Sequence, residues 1–251
     1  RIVDRHMLRL LKMWLQAPVE IKDTTTGKRR MTGGKKHKLG TPQGGVISPL
    51  LANLYMNRML KHWRSTDRPR RFCAEIVAYA DDFVILSRGR ARDALEWTRK
   101  VTSKLGLALN EEKTSLRNAR VESFDFLGYT FGPHYFRKTG HWYLGASPSR
   151  KSVQRFKGKV TELLDVRNKS PRGDILRRLN QLLIGWSGYF NYGTRLQAYR
   201  AVDHHVYDRV RHFFGKRHKV QSRATRVFSY EKVYGELGVV QLRRVHLGPK
   251  P

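Results

Sequence analysis

Carboxylates and cysteine are what this sequence is short of. Asp and Glu number 20 against 51 Lys and Arg in 251 residues, which leaves a net charge of +31. A compact chain with that imbalance repels itself unless a polyanion lies against it. Nucleic acid is the polyanion that fits, because every phosphate neutralised releases a counterion and adds affinity. The excess is not a basic tail on a neutral body. Residues 1–150 hold 29 basic and 13 acidic side chains, and residues 151–251 hold 22 and 7. Charge alone does not separate an enzyme from a ribosomal-type or chromatin-type binder. The single cysteine, Cys73, excludes an internal disulfide framework and a cysteine-built zinc knuckle, and suits an intracellular, reducing compartment. No apolar run approaches the ~18 residues that would cross a bilayer, and no signal-peptide pattern opens the chain. The sequence starts at Arg1, without methionine, directly in an amphipathic pattern, which reads as a cut rather than a natural beginning.

What is present has a clear order. Met7, Leu8, Leu11, Trp14 and Leu15 recur at helical spacing, and Pro18 stops the helix. Residues 22–41 hold seven Lys or Arg among Thr and Gly, the composition of a mobile hairpin or loop. Its Lys28, Arg29, Arg30, Lys35 and Lys36 are candidate RNA contacts. Ser48-Pro49 opens a helix to about Trp63, with the hydroxyl as cap and proline in the first turn. Strands are expected at Ile76–Ala80 and Phe83–Ser87, a helix over 91–105 ended by Gly106, and a strand over 124–131. Thr139-Gly140 marks a hairpin within 135–144. Beyond Pro148 the periodicity turns helical over 149–166, 171–187 and 196–217, placing a domain boundary near Ala146. The division expected is 1–146 and 147–251.

The chemistry is concentrated in Tyr79-Ala80-Asp81-Asp82. Apolar strands on both sides put the carboxylates at a tight hairpin turn, fixed at a sheet edge and open to solvent. Oxygen ligands of this kind suit Mg²⁺, which takes few protein ligands and keeps waters and substrate phosphates. Two such ions can promote an in-line displacement at phosphorus. Asp is also an ordinary turn residue, and in isolation an Asp-Asp hairpin is usually only a turn.

The surrounding motifs change that balance. Thr41-Pro42-Gln43-Gly44-Gly45-Val46-Ile47-Ser48-Pro49-Leu50-Leu51-Ala52-Asn53 precedes the Tyr79-Ala80-Asp81-Asp82 hairpin, and Asn110-Glu111-Glu112-Lys113-Thr114 and Phe126-Leu127-Gly128-Tyr129 follow it. In content and order these four motifs resemble the reverse transcriptases, the group II intron family in particular. The resemblance implies a right-hand polymerase: an α+β palm, with an antiparallel sheet and packed helices, followed by an α-helical thumb. It implies RNA-directed DNA polymerization on two Mg²⁺ ions, with Mn²⁺ a substitute. It further implies that Asp81 matches the main metal ligand and Asp82 its neighbour. Tyr79 and Ala80 match positions against the primer end and incoming nucleotide. Gln43 and Gly44 match the nucleotide pocket, Lys113 a lysine near the triphosphate, and Leu127 and Gly128 the hairpin that grips the primer. Taken singly, Gly44 is also a plain turn residue, Lys113 a solvated charge and Leu127 ordinary core.

Arg178-Leu179-Asn180-Gln181-Leu182-Leu183-Ile184-Gly185-Trp186-Ser187-Gly188-Tyr189-Phe190-Asn191-Tyr192-Gly193 resembles the maturase-specific region, which implies a thumb that grips intron RNA. Trp186, Tyr189, Phe190 and Tyr192 interleave with Arg177, Arg178 and Arg195, a pattern able to stack bases and neutralise phosphates. In a helical bundle such aromatics are more often core, so the basic residues are the better RNA contacts. Arg209, Arg211, Lys216 and Arg217 extend the basic track. His204, His205 and His212 lack a partner set for a metal and read as structural or RNA-facing. The partners implied are template and intron RNA, a DNA primer and product, and deoxynucleoside triphosphates, with no membrane. The resemblance also requires an aspartate from an earlier strand, which should precede Arg1 by a short stretch, with the fingers, in the same protein or on an upstream polypeptide. No cysteine-rich endonuclease segment follows, and no DNA cleavage is expected. A non-catalytic RNA-binding maturase is the alternative, and a related defence enzyme a third.

Overall fold

The structure is a computed structural model and describes residues 3–22, 27, 29–33, 48–136, 139–220 and 227–245. The chain forms two compact units, Arg1–Leu116 and Arg117–Pro251.

In the first unit α1 (Arg5–Gln16) starts on Asp4, whose carboxylate accepts from the Met7 amide at 2.8 Å. Asp4 is thus an N-cap, just outside the helix rather than within it. None of the α1 side chains is buried. β1 (Pro18–Lys22) pairs antiparallel with β2 (Arg29–Gly33). α2 (Ser48–Ser65), the short α3 (Arg68–Arg71) and α4 (Ala91–Lys104) pack on one face of the hairpin of β3 (Ala74–Tyr79) and β4 (Asp82–Ser87). Met59 and Trp63 from α2 meet Ala94, Trp97 and Val101 from α4, and Trp63 sits edge-on to Trp97 with centroids 5.1 Å apart. Ile76, Phe83 and Ile85 pack on this cluster from one face of the hairpin. Strand alternation leaves Val77, Tyr79 and Leu86 exposed on the other face. Gly106, at φ +69°, ends α4 as its position suggests.

The second unit joins a three-stranded antiparallel sheet, β5 (Phe124–Phe126), β6 (Tyr129–Phe136) and β7 (His141–Pro148), to a helical bundle. The stretch expected as one strand over 124–131 is a hairpin, broken at Leu127–Gly128. Both turn residues have positive φ, +49° and +80°, the backbone of a type I′ connection. Leu-Gly lacks the usual Asn-Gly or Asp-Gly signature, so the turn was hidden in the sequence.

α5 (Arg150–Leu163), α6 (Arg172–Tyr189) and α7 (Leu196–Arg217) follow. Their buried residues recur every three or four positions: Val153, Phe156, Val160 and Leu164; Ile175, Leu179 and Leu183; Val202, Val206, Val210 and Phe213. That repeat keeps one stripe of each helix turned inward. The bundle is closed by a π-helical turn at Lys232–Glu236 and a 3₁₀ turn at Leu242–Arg244. Buried Asp203 anchors that closure by accepting from the amides of Leu242 at 2.8 Å and Arg243 at 3.2 Å. Burial pushes the Asp203 carboxyl up, against the pull of those amides and of Arg243.

The two units divide between Leu116 and Arg117, and within the second β5–β7 are bonded to the helices that follow them. Ser149 N donates to Gly128 O at 2.8 Å, and the Tyr129 hydroxyl donates to Tyr189 O at 2.7 Å.

Candidate functional site

The β3–β4 hairpin presents the acidic pair. Tyr79 and Asp82 are the last paired residues, so Ala80 and Asp81 form the two-residue turn and Asp82 begins β4. The strands are therefore one residue offset from expectation. Both carboxylates are exposed. Ala80 adopts φ +53°, a conformation that costs a non-glycine residue about 1–3 kcal/mol and is sustained only by its surroundings. Here the Ile76, Phe83 and Ile85 face, seated on α2 and α4, supplies that support. The Ser87 hydroxyl pins the far end by donating to Phe72 O at 2.7 Å. A rigid hairpin with its polar tip in solvent can offer oxygen ligands to a hard cation. Among the described residues no group of three His, Cys, Asp or Glu side chains gathers to hold a metal ion.

Lys113 is exposed in the same unit. Asn110 builds its turn, accepting the Lys113 amide on Oδ1 at 3.2 Å and the Thr114 amide on its carbonyl at 2.9 Å. Glu111 forms a two-pronged pair with Arg99, at 2.7 and 3.3 Å. The asparagine and first glutamate of that motif thus have local structural roles that leave Lys113 facing solvent.

In the second unit Leu127–Gly128 is held from both sides. Gly128 O accepts from Ser149 N and from Ser152 Oγ at 3.0 Å, and Leu127 O accepts from the Tyr189 hydroxyl at 2.9 Å. A Cβ on Gly128 would lie 2.9 Å from Ser152 Oγ and 3.2 Å from Phe190. Burial pushes the Tyr129 phenol up, which keeps it a hydrogen-bond donor. Sequence reasoning missed Ser149, Ser152 and Tyr189 as holders of this turn. Their only local signal is the serine cap of α5, where Ser149 Oγ accepts from Ser152 N.

The aromatic cluster of α6 divides. Phe190 is buried and Trp186 stacks on Phe156 at 4.9 Å, while Tyr189 and Tyr192 are exposed. The buried Tyr199 hydroxyl donates to the carbonyls of Ser187 and Phe190 at 3.1 and 3.0 Å, satisfying the end of α6.

Several of the expected RNA contacts have intramolecular partners. Arg29 pairs with Glu20 at 3.1 Å and Arg177 with Asp174 at 2.7 Å. Arg195 lies over the Tyr199 ring, Arg209 turns toward Leu164 O at 3.4 Å, and Arg211 lies over Tyr207 beside Asp208. Arg217 donates to Ser170 O at 2.8 Å. Arg178 and Lys216 are exposed. A guanidinium has five donors, so one internal bond leaves others for phosphate. Of the histidines, His205 is structural: its Nε2 meets Thr161 Oγ1 at 3.0 Å and Lys157 O at 3.1 Å. Gln43, Gly44, Lys28, Lys35 and Lys36 lie outside the described residues, as does the side chain of Arg30.

Comparison with known proteins agrees with the motif order. The family model described as reverse transcriptase (RNA-dependent DNA polymerase) matches residues 3–131, just over half of the chain, and the chain belongs to that family. A second model, the group II intron maturase-specific domain, matches residues 153–230. Together they make the chain a member of the group II intron reverse transcriptases, or maturases. Among curated proteins, the retrovirus-related Pol polyprotein from type-1 retrotransposable element R1 of Nasonia vitripennis is 34% identical over 87 residues, 30% of this chain and 23% of that protein. The corresponding R1 2 polyprotein of the same organism is 34% identical over 83 residues, 30% of this chain and 19% of its own length. The matched segment therefore spans less than a quarter of either relative. Enzymes of this class use divalent metal ions and act on RNA and DNA. Among the described residues no helix is long and apolar enough to cross a membrane.

Proposed function

We propose that this chain carries the palm hairpin and thumb of an RNA-directed DNA polymerase that also binds its intron RNA. The observation that carries the reading is Asp81 and Asp82, two exposed carboxylates at the tip of a hairpin whose other end is fixed in a core. In a chain of +31, binding RNA alone gives no reason to place two negative charges there.

The donor set fits part of a Mg²⁺ site, since carboxylate oxygens at an open turn leave room for waters and phosphates. Asp81 and Asp82 would hold the metal, and the remaining carboxylate would come from an earlier strand, of the same protein or of an upstream polypeptide. Bound there, two ions would supply charge stabilisation for an in-line displacement. In that reaction the primer 3′-hydroxyl attacks the α-phosphate of a deoxynucleotide, and pyrophosphate leaves. Tyr79 and Ala80 would place the primer end, with Gln43 and Gly44 at the nucleotide. Lys113 would meet the triphosphate as a mobile point charge, and Leu127 and Gly128 would grip the primer terminus. Functionally the palm runs to about Ala146 and the thumb from there on. Arg178 and Lys216 head the thumb's RNA contacts, and the assembly works as a cytoplasmic ribonucleoprotein.

The test is Mg²⁺-dependent primer extension on an RNA template, by the chain alone and with an upstream fragment of the family added. Extension should need the fragment and fall on the order of 10²–10³-fold with Asp81→Ala, the scale of losing one electrostatic stabiliser. Extension that survives Asp81→Ala would remove that residue from the site. No extension in either case, with RNA still bound tightly, would assign the chain as a non-catalytic maturase. That second reading draws on the aspartate that the family's site takes from an earlier strand, in addition to Asp81 and Asp82.

A further inference from the structure

We propose that the outer end of the β6–β7 hairpin is a stacking platform for unpaired nucleotides. The proposal rests on the nucleic-acid reading above and adds a site to it. Pairing sets Phe131 opposite Ala146, Pro133 opposite Leu144 and Tyr135 opposite Trp142, all on one face of the sheet. That face begins in the unit's interior, where Ala146 is 3% exposed. It ends in solvent, with Leu144 60%, Tyr135 51% and Trp142 69% exposed. The Tyr135 and Trp142 rings support each other across the strands, with centroids 5.2 Å apart.

Two large aromatic rings left in water on a rigid hairpin mark an interaction surface. Charge decides what it takes. No Asp or Glu occurs between Asp125 and Glu162, a stretch with seven Lys or Arg. Arg150, Lys151, Arg155 and Lys159 of that stretch are exposed on α5 in the same unit. Exposed aromatic faces on a strongly basic unit, in a stretch of sequence without carboxylates, are the kind of surface single-stranded nucleic acid binds. Bases inside a duplex already have both faces covered by their neighbours, so only unpaired nucleotides can offer one to Tyr135 or Trp142.

The experiment measures affinity of the whole chain for a fluorescent single-stranded oligouridylate and for a blunt RNA duplex. It compares wild type with Tyr135→Leu/Trp142→Leu, which keeps the surface apolar but removes the stacking faces. Each lost face should cost roughly 5- to 150-fold. The double variant should therefore lose at least about 25-fold on the single strand and less than about twofold on the duplex. Trp142→Phe should retain binding but remove the quenching of indole emission that the oligonucleotide produces in wild type. Equal single-strand affinity in wild type and the double Leu variant would overturn the platform and leave the nucleic-acid reading standing. So would unchanged affinity with self-association abolished by Trp142→Glu, which would assign the face to a second copy. A wild-type chain that binds neither oligonucleotide would overturn the nucleic-acid reading itself.

Discussion

Replacing Gly193 by alanine should damage the second unit more than its loop position suggests. Gly193 has φ +69°, and a Cβ there would stand 2.1 Å from the carbonyl oxygen of Ala146 and 2.9 Å from its carbon. The obstacle is backbone of a buried residue, and the same oxygen accepts the Thr194 amide at 2.7 Å. Three costs combine: about 1–2 kcal/mol for the left-handed backbone, about 1–3 for forcing packed atoms apart, and about 1 for the hydrogen bond that must lengthen. Together they come to about 3–6 kcal/mol. Gly140→Ala is the matched control. Its φ is also +69°, but the nearest atom to a new Cβ is the Tyr135 hydroxyl at 3.9 Å, so only the backbone cost of about 1–2 kcal/mol remains. Urea unfolding of both variants by circular dichroism gives the comparison, with hydrogen exchange of the α6 amides reporting on this unit alone. Equal losses would refute the reasoning, because the close approach to Ala146 would then contribute nothing.

Two further outcomes are expected. Burial holds the His205 imidazole below its ordinary pKa of 6.5. The unfolded chain therefore takes up that proton first as pH falls, and stability should drop from about pH 6.5 down to the lowered folded value. His205→Gln should flatten that slope in pH-dependent urea titrations, and an unchanged slope would acquit His205. RNA affinity, measured by filter binding, should fall about 10³-fold between 50 and 200 mM salt, as expected for six or more phosphate contacts. A loss under tenfold would contradict a charge-dominated grip.

The helices were legible because their apolar residues repeat every three or four positions around strong stops. α2 runs from Ser48, the first described residue there, to Ser65, and α5, α6 and α7 lie within three residues of their expected bounds. What was not legible depends on partners distant in sequence. The Lys232–Glu236 and Leu242–Arg244 turns carry no periodicity, and their anchor, Asp203, lies in the middle of α7. Trp186 and Tyr189 both read as mixed core and contact, and only packing on Phe156 separates the stacked ring from the exposed one. The acidic pair was legible as a hairpin tip because apolar residues flank it on both sides. Its one-residue offset was not, because Ala80 gives no hint that it will accept a positive φ.

The Leu127–Gly128 turn shows how such a site can be held in place by its surroundings. Leu127 pays about 1–2 kcal/mol for its left-handed backbone, so the local sequence does not favour this turn. Four hydrogen bonds oppose that cost: two to Gly128 O from Ser149 and Ser152, one to Leu127 O from Tyr189, and one from Tyr129 to Tyr189 O. At about 0.5–1.5 kcal/mol each, they outweigh the strain together but not singly. Ser149 and Ser152 belong to the start of α5, and Tyr189 ends α6. The shape of the turn is therefore a consequence of the folded helices, and a change that loosens either helix end acts on the turn without touching it.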